Sequence, residues 1–265
     1  AIWVVKALQA LGWAERPVKF ILAGDEDKGH FDADTPQLLI RLAKGALCCF
    51  NMETGRVNND ICIGRKGGGE GELTVRGAAA HAGNDFLSGR NAVLEMAYKE
   101  IELAELNDLE LGTTVTPTVI TVPNGIPDHC HLYFDVRYRK FEEAQRVKEA
   151  FERIAALSHI DGTHTDCIYK EYQVPFDETP DGIALADFVA EVSRELGMGD
   201  MGKINLGGGS DACYFTIAGV PTICAMGVCG QFNHSSKEYA LVETLYTRAK
   251  LLTCAVLDLE KFVQR

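Results

Sequence analysis

Apolar residues follow two rhythms along the chain, and the change between them divides it. Before about residue 60 and after Pro175 they come as short continuous runs or at helical spacing, whereas between these points they alternate. Val4, Leu8 and Leu11 share a helical face with Gly12 as the stop, predicting a helix over 1–11. Residues 18–23 and 46–52 are almost wholly apolar runs, each predicting a buried parallel strand. Between them Thr35 and Pro36 read as the N-cap and first residue of a helix reaching Lys44. Strand, helix, strand with short links is the grammar of a parallel sheet. It would bring Asp25, Glu26 and Asp27, at the end of the first run, to the same edge as Glu53 after the second.

From Ile61 the texture changes. Gly67, Gly68, Gly69 and Gly71 interrupt the pattern, and a domain boundary is expected near them. Strands are then predicted over 72–77, 114–122, 129–139 and 163–172, with helices over 91–106 and 141–157: the split β-α-β-β-α-β unit. In the third strand Cys130, Leu132, Phe134 and Val136 lie on one face, and His131, Tyr133, Asp135 and Arg137 on the other. The α/β texture returns with a helix over 181–196, a glycine loop, a short helix, a strand over 221–226 and a closing helix over 241–262. The expected fold is α/β: a mostly parallel sheet domain (1–69 and 174–265) interrupted by an α+β ferredoxin-like module (70–173).

Composition narrows the partners. A 46% hydrophobic content over 265 residues supports real cores, and a formal charge of -12 with no basic cluster argues against nucleic acid or an anionic membrane surface. Nine cysteines are scattered without a two-residue pair, which suggests reduced thiols and a cytoplasmic setting. No apolar run reaches membrane-spanning length.

Three consecutive acids at a sheet edge are costly unless a cation or proton is shared among them, so Asp25–Asp27 is either a metal-binding turn or a solvated acidic one. The stretch NLGGGSDACYF, with Gly208, Gly209 and Ser210, places backbone N–H groups where they can hold an anion, or is simply a tight strand-to-helix turn. It fits neither nucleotide-loop pattern, and no Lys follows the glycines. His234 sits in a loop after the 221–226 run, and His81 lies among small residues in GAAAHAG. Either is a functional histidine or an exposed one.

Together these segments resemble one family along the whole chain: the dinuclear-zinc amidohydrolases and peptidases that include carboxypeptidase G, acetylornithine deacetylase, succinyl-diaminopimelate desuccinylase and the aminoacylases. DEDKGH stands where the family has an Asp-Glu-Glu turn. GRKGGG followed by TVRGAAAHAG is similar to the start of its lid domain, and GGGSDACYF with FNHSSKEY to its final glycine loop and terminal metal histidine. The resemblance implies a zinc-dependent hydrolase of amide or peptide bonds, acting on a small peptide or N-acyl amino acid. It implies Glu26 as general base, Asp27, Glu53 and His234 as metal ligands, and His81 as oxyanion donor in a neighbouring subunit's site. Asn124 and Arg137 would bind a substrate carboxylate, Gly208, Gly209 and Ser210 would flank it, and the lid would pair with its twin in a homodimer.

The chain departs from the family in three places. Asp27 is one methylene shorter than the usual Glu, and residues 118–124 lack the glycine-containing turn expected before Asn-x-Ile-Pro. The family's first metal histidine and bridging aspartate belong before Ala1. A complete family enzyme holds two zinc ions per subunit, and the expectation for these 265 residues is at most one, weakly bound. The alternative function is a catalytically silent dimerising or binding relative, or an inactive fragment of the enzyme.

Overall fold

The computed structural model describes residues 1–30, 34–122 and 126–264. They form two compact units, Ala1–Arg65 with Phe176–Arg265, and Lys66–Pro175. In chain order the first unit opens with α1 (Ile2–Ala10), a 3-10 turn (Glu26–Lys28), α2 (Thr35–Ala43), β1 (Cys49–Phe50) and β2 (Ile61–Arg65). The second holds β3 (Gly67–Arg76), α3 (Ala92–Ala104), β4 (Thr114–Thr121), β5 (His129–Tyr138), α4 (Phe141–Ala156) and β6 (His164–Gln173). The first then resumes with α5 (Pro180–Glu195), β7 (Lys203–Leu206), α6 (Ala212–Ile217), β8 (Thr222–Ile223), β9 (Gly230–Gln231), β10 (Tyr239–Ala240), α7 (Glu243–Leu257) and α8 (Leu259–Val263). Among the described residues no helix is long and apolar enough to cross a membrane.

The first unit is a mixed α/β layer. β1 runs parallel to β8 and β2 parallel to β7, and an antiparallel bridge between Cys62 and Cys224 joins the two pairs. Ile61, Ile63 and Ile223 of the strands bury against Leu185, Phe188 and Val189 of α5, Leu251 and Leu252 of α7, and Val4 and Leu8 of α1. Each such side chain contributes roughly 1.5 to 3 kcal/mol on burial.

Several expected elements are corrected here. Residues 18–23 form no strand: nothing among the described residues pairs with them, and Phe20 and Leu22 stay 44% and 81% exposed. The run is apolar enough for a strand, but ladder hydrogen bonds come from a neighbour and not from the run itself. The expected strands over 46–52 and 221–226 shrink to the two-residue β1 and β8 for the same reason. α2 is capped at Asp34 and not Thr35, and the closing helix breaks at Asp258 into α7 and α8.

In the second unit the four strands lie in the order β4-β5-β3-β6, all antiparallel, with α3 and α4 on one face. The alternation in β5 does what its pattern requires: Cys130, Leu132, Phe134 and Val136 are buried in the core with Leu73, Val75, Met96, Val147 and Phe151. Gly67, Gly68, Gly69 and Gly71 do not interrupt the sheet but lie in the first half of β3, one of its two central strands. Aromatic rings from the flanking strands occupy the space above them. A Cβ on Gly71 would lie within the Phe134 ring, and Cβ atoms on Gly68 and Gly69 would strike Tyr172 and Tyr169.

A fully buried ion pair ties the helices together. Lys99 Nζ lies 3.0 Å from Glu95 Oε1 and donates to the carbonyls of Ile154 and Leu157 at the end of α4. Glu95 Oε2 accepts from the backbone N–H groups of His159 (2.8 Å) and Ile160 (2.7 Å).

Candidate active site

The acidic turn hangs on one histidine. The chain leaves Glu26–Lys28 through Gly29 (φ 67°) and then His30 (φ 56°), a left-handed backbone that a residue with a side chain adopts only when its surroundings impose it. The imposing contacts are both acidic. The buried ring sets Nε2 2.6 Å from Asp211 Oδ1 and Nδ1 2.9 Å from Asp25 Oδ1, while Thr35 Oγ1 donates to the other oxygen of Asp25 at 3.0 Å. Burial disfavours the imidazolium, but the hydrogen bonds to Asp211 and Asp25 outweigh it and the His30 pKa is raised. Asp25 is held below the usual carboxylate range, first by its hydrogen bond to His30. Asp211 is raised by burial despite His30. In this way the first acidic turn is fastened to the glycine loop 181 residues further on.

Glu26, Glu53 and Asp211 line one cleft of the first unit, of about 1060 Å³, whose remaining wall is mostly apolar side chains of segments 17–23 and 42–52. Burial pushes the Glu26 carboxyl up to about 7, and the like charges of Glu53, Asp211 and Asp27 add to it against the opposing Arg65. Arg65 comes from the end of β2. Its Nη1 donates to the carbonyls of Gly208 (3.3 Å) and Gly209 (3.2 Å), and its Nε to Cys224 Sγ (3.3 Å), so one guanidinium fixes the course of the glycine loop. Ser210 is buried, and its Oγ accepts from Ala212 N at 3.2 Å.

The loop bearing His234 is stitched to the Glu53 segment by backbone. Gly227 N donates to Glu53 O (2.8 Å), Gly55 N to Val228 O (2.8 Å), and Asn233 Nδ2 to Thr54 Oγ1 (2.8 Å). His234 itself takes a left-handed φ of 62° and is exposed. The repulsion that drives Glu26 up is the kind a bound cation relieves, so the carboxylates suit a divalent ion by their chemistry. The imidazole of His234 is not gathered with them: among the described residues no group of three or more His, Cys, Asp and Glu side chains converges closely enough to hold a metal.

Two further expected residues belong to the second unit, and Asn124 lies outside the described residues. His81 is exposed, with Nδ1 accepting from Gly83 N (3.2 Å) and Asn84 N (3.0 Å). With both N–H groups donating to Nδ1, a neutral ring carries its proton on Nε2 and can donate from there. Arg137 is gripped by Asp135 through two parallel bonds, Nε to Oδ1 (2.9 Å) and Nη2 to Oδ2 (3.0 Å), and its guanidinium stacks 5.3 Å from the centre of the Tyr172 ring.

A peptidase dimerisation domain, that of the M20 group, matches residues 63–161. Carboxypeptidase G2 of a Pseudomonas species is 27% identical over 241 residues, covering 89% of this chain and 57% of that protein. Together with the structural neighbours below, these matches support the M20 family of peptidases and amidohydrolases. Its fold is shared with aminopeptidase PepT of Bacillus cereus (TM-score 0.77, 22% identity) and a tripeptidase of Staphylococcus aureus (TM-score 0.76, 18% identity). Each of these two alignments covers 94% of this chain and 66% of the other. The chain thus spans little more than half the length of the curated M20 relative, and under two thirds of these two structures.

His30, Asp211 and Arg65 lie inside the motifs DEDKGH, GGGSDACYF and GRKGGG, where nothing in the sequence marks them for a role. Three acids in a row announced themselves, whereas a histidine and an aspartate 181 positions apart become partners only once the chain has folded.

Proposed function

We propose that this chain carries part of the catalytic machinery for hydrolysing the amide bond of a small peptide or N-acyl amino acid, with zinc as the metal. The observation that carries the reading is Glu26, a half-buried carboxyl in a cleft it shares with Glu53 and Asp211, its pKa raised first by burial. A general base is most effective when its pKa lies near the working pH, and an ordinary solvated glutamate is far from that. Glu26 takes the proton of the attacking water and passes it to the leaving amine. Asp27, Glu53 and His234 would hold zinc, which when bound acidifies water and polarises the scissile carbonyl. His81, reaching the site of the other copy in the dimer, donates from Nε2 to the oxygen on which negative charge develops, worth roughly 3 kcal/mol for one such donor.

Asn124 and Arg137 receive a free substrate carboxylate. Asp135 occupies two of the five guanidinium donors of Arg137 and orients the rest. In the first unit Gly208, Gly209 and Ser210, their course set by Arg65, contribute to substrate binding.

The deciding experiment is a panel of dipeptides, tripeptides and N-acyl amino acids assayed with the zinc-loaded full-length gene product and its Glu26→Gln variant. The variant should keep zinc affinity and KM within about threefold and lose kcat by roughly 10² to 10⁴. Turnover that survives Glu26→Gln would remove Glu26 from the reaction.

A further inference from the structure

Cys62 and Cys224 face one another where β2 meets the end of β8, and the hydrolytic reading uses neither. Two backbone hydrogen bonds close the bridge, Cys62 N to Cys224 O at 3.1 Å and Cys224 N to Cys62 O at 2.8 Å. An antiparallel pair that exchanges both bonds holds its Cα atoms about 5.5 Å apart. That is within the range of Cα separations found in disulfides. The two thiols are near enough for each to shift the other's titration, and Cys62 Sγ donates to Gly64 O at 3.2 Å. Around Cys224 Sγ stand Arg65 Nε at 3.3 Å, Asn51 Oδ1 at 3.5 Å and Ser210 Oγ at 3.6 Å, a polar setting unlike that of an inert core thiol.

We propose that Cys62 and Cys224 form a redox-modification site, a dithiol that hydrogen peroxide closes to an intramolecular disulfide. The Cys224 thiolate attacks a peroxide oxygen, the O–O bond breaks, and hydroxide leaves to be protonated to water. Cys62 sulfur then attacks the resulting sulfenic sulfur, the S–S bond forms, and the sulfenic oxygen departs with the Cys62 proton as a second water. Two thiols and one peroxide thus give one disulfide and two waters.

Cys224 is the attacking sulfur because of its neighbours. Burial would raise its pKa, but the neighbouring Cys62 thiol, the charge of Arg65 and the Ser210 hydroxyl bring it down to about 7, while Cys62 is driven upward. Both residues are fully buried, so the oxidant must be small and uncharged, and a bulky disulfide such as oxidised glutathione is excluded. Closure removes the sulfur anion that faces Arg65, the same guanidinium that holds the Gly208 and Gly209 carbonyls, and so the glycine loop feels the bond.

The test treats the folded 265-residue chain with hydrogen peroxide or with oxidised glutathione, unfolds it, alkylates it with N-ethylmaleimide and maps the peptides. Peroxide should consume two of the nine thiols, remove two hydrogens in mass, and give a Cys62–Cys224 cross-linked peptide that dithiothreitol reverses; oxidised glutathione should do none of this. In Cys62→Ser the cross-link should vanish and dimedone should trap Cys224 as its sulfenic acid. The proposal falls if peroxide leaves both thiols alkylated, if Cys224 proceeds to the sulfinic acid with Cys62 untouched, or if Cys224 pairs instead with its neighbour Cys49. Should Cys62→Ser fail to fold, the wild-type map alone decides.

Discussion

His30 Nε2 lies 2.6 Å from Asp211 Oδ1, and that contact joins the acidic turn to the glycine loop. Its partner on the other side of the ring, Asp25, is held low by the same imidazole. The His30 pKa is raised by folding, so its contribution is fully present below the unfolded value near 6.5 and lost as pH climbs through the higher folded value. Removing the ring leaves a pair of acids without their donor, at about 2 to 3 kcal/mol. Thermal melts should therefore show His30→Gln well below wild type at pH 6 and approaching it by pH 9. A gap that stays constant with pH would mean the ring acts by packing alone.

Lys99 and Glu95 test a different kind of bond. Lys99→Met strands a carboxylate with no exposure, a loss of roughly 3 to 5 kcal/mol. Glu95→Gln with Lys99→Met should recover much of it, since burying neither charge removes the desolvation cost. Urea unfolding of the two variants, read by circular dichroism, separates these cases.

Self-association is expected through the second unit. Leu94, Tyr98 and Ile101 recur at helical spacing on α3 and are 45%, 43% and 63% exposed, and β4 is an edge strand showing Val119 and Ile120. Light scattering at micromolar concentration should give a symmetric dimer for wild type and a monomer for Ile101→Glu, with unchanged helix content. Dimers that persist after that substitution would move the interface elsewhere.

For metal, the proposed ligands fall short of two complete zinc sites. Asp27 and His234 would serve one ion and Glu53 the other, and catalytic zinc normally has three protein ligands. Isothermal titration and native mass spectrometry on the 265 residues should find at most one zinc per chain, bound weakly, and Glu53→Ala should leave that affinity almost unchanged. Two tightly held ions would overturn the ligand assignment.

What the sequence made legible followed its local physics. The second unit was readable because alternation declares which face of β5 is buried, and Asn91, whose side chain accepts from Val93 N and Leu94 N, marks the start of α3. The run at 18–23 misled because hydrophobicity reports a wish to be buried and says nothing of a pairing neighbour. Glycine misled in the opposite direction: Gly67 to Gly71 looked like a break, yet they are required inside a strand by rings that arrive from elsewhere in the chain. The carboxylates at Glu26, Asp27 and Glu53 were visible as candidates, whereas the clamp at His30 and the thiol pair at Cys62 and Cys224 depend on contacts across more than 150 residues.

Those glycines also decide how the sheet can fail to assemble. Phe134 of β5 stands opposite Gly71, and Tyr169 and Tyr172 of β6 lean over Gly69 and Gly68 on the other side. Sliding either strand by two residues preserves which side chains face the core, so hydrophobicity alone does not forbid it. It would, however, carry Phe134 from Gly71 to the side chain of Leu73, or away to Gly69 where Tyr169 already sits. The bare stretch of β3 thus works as a keyway cut for three rings, and the wrong alignments are rejected by steric overlap before any favourable contact is counted.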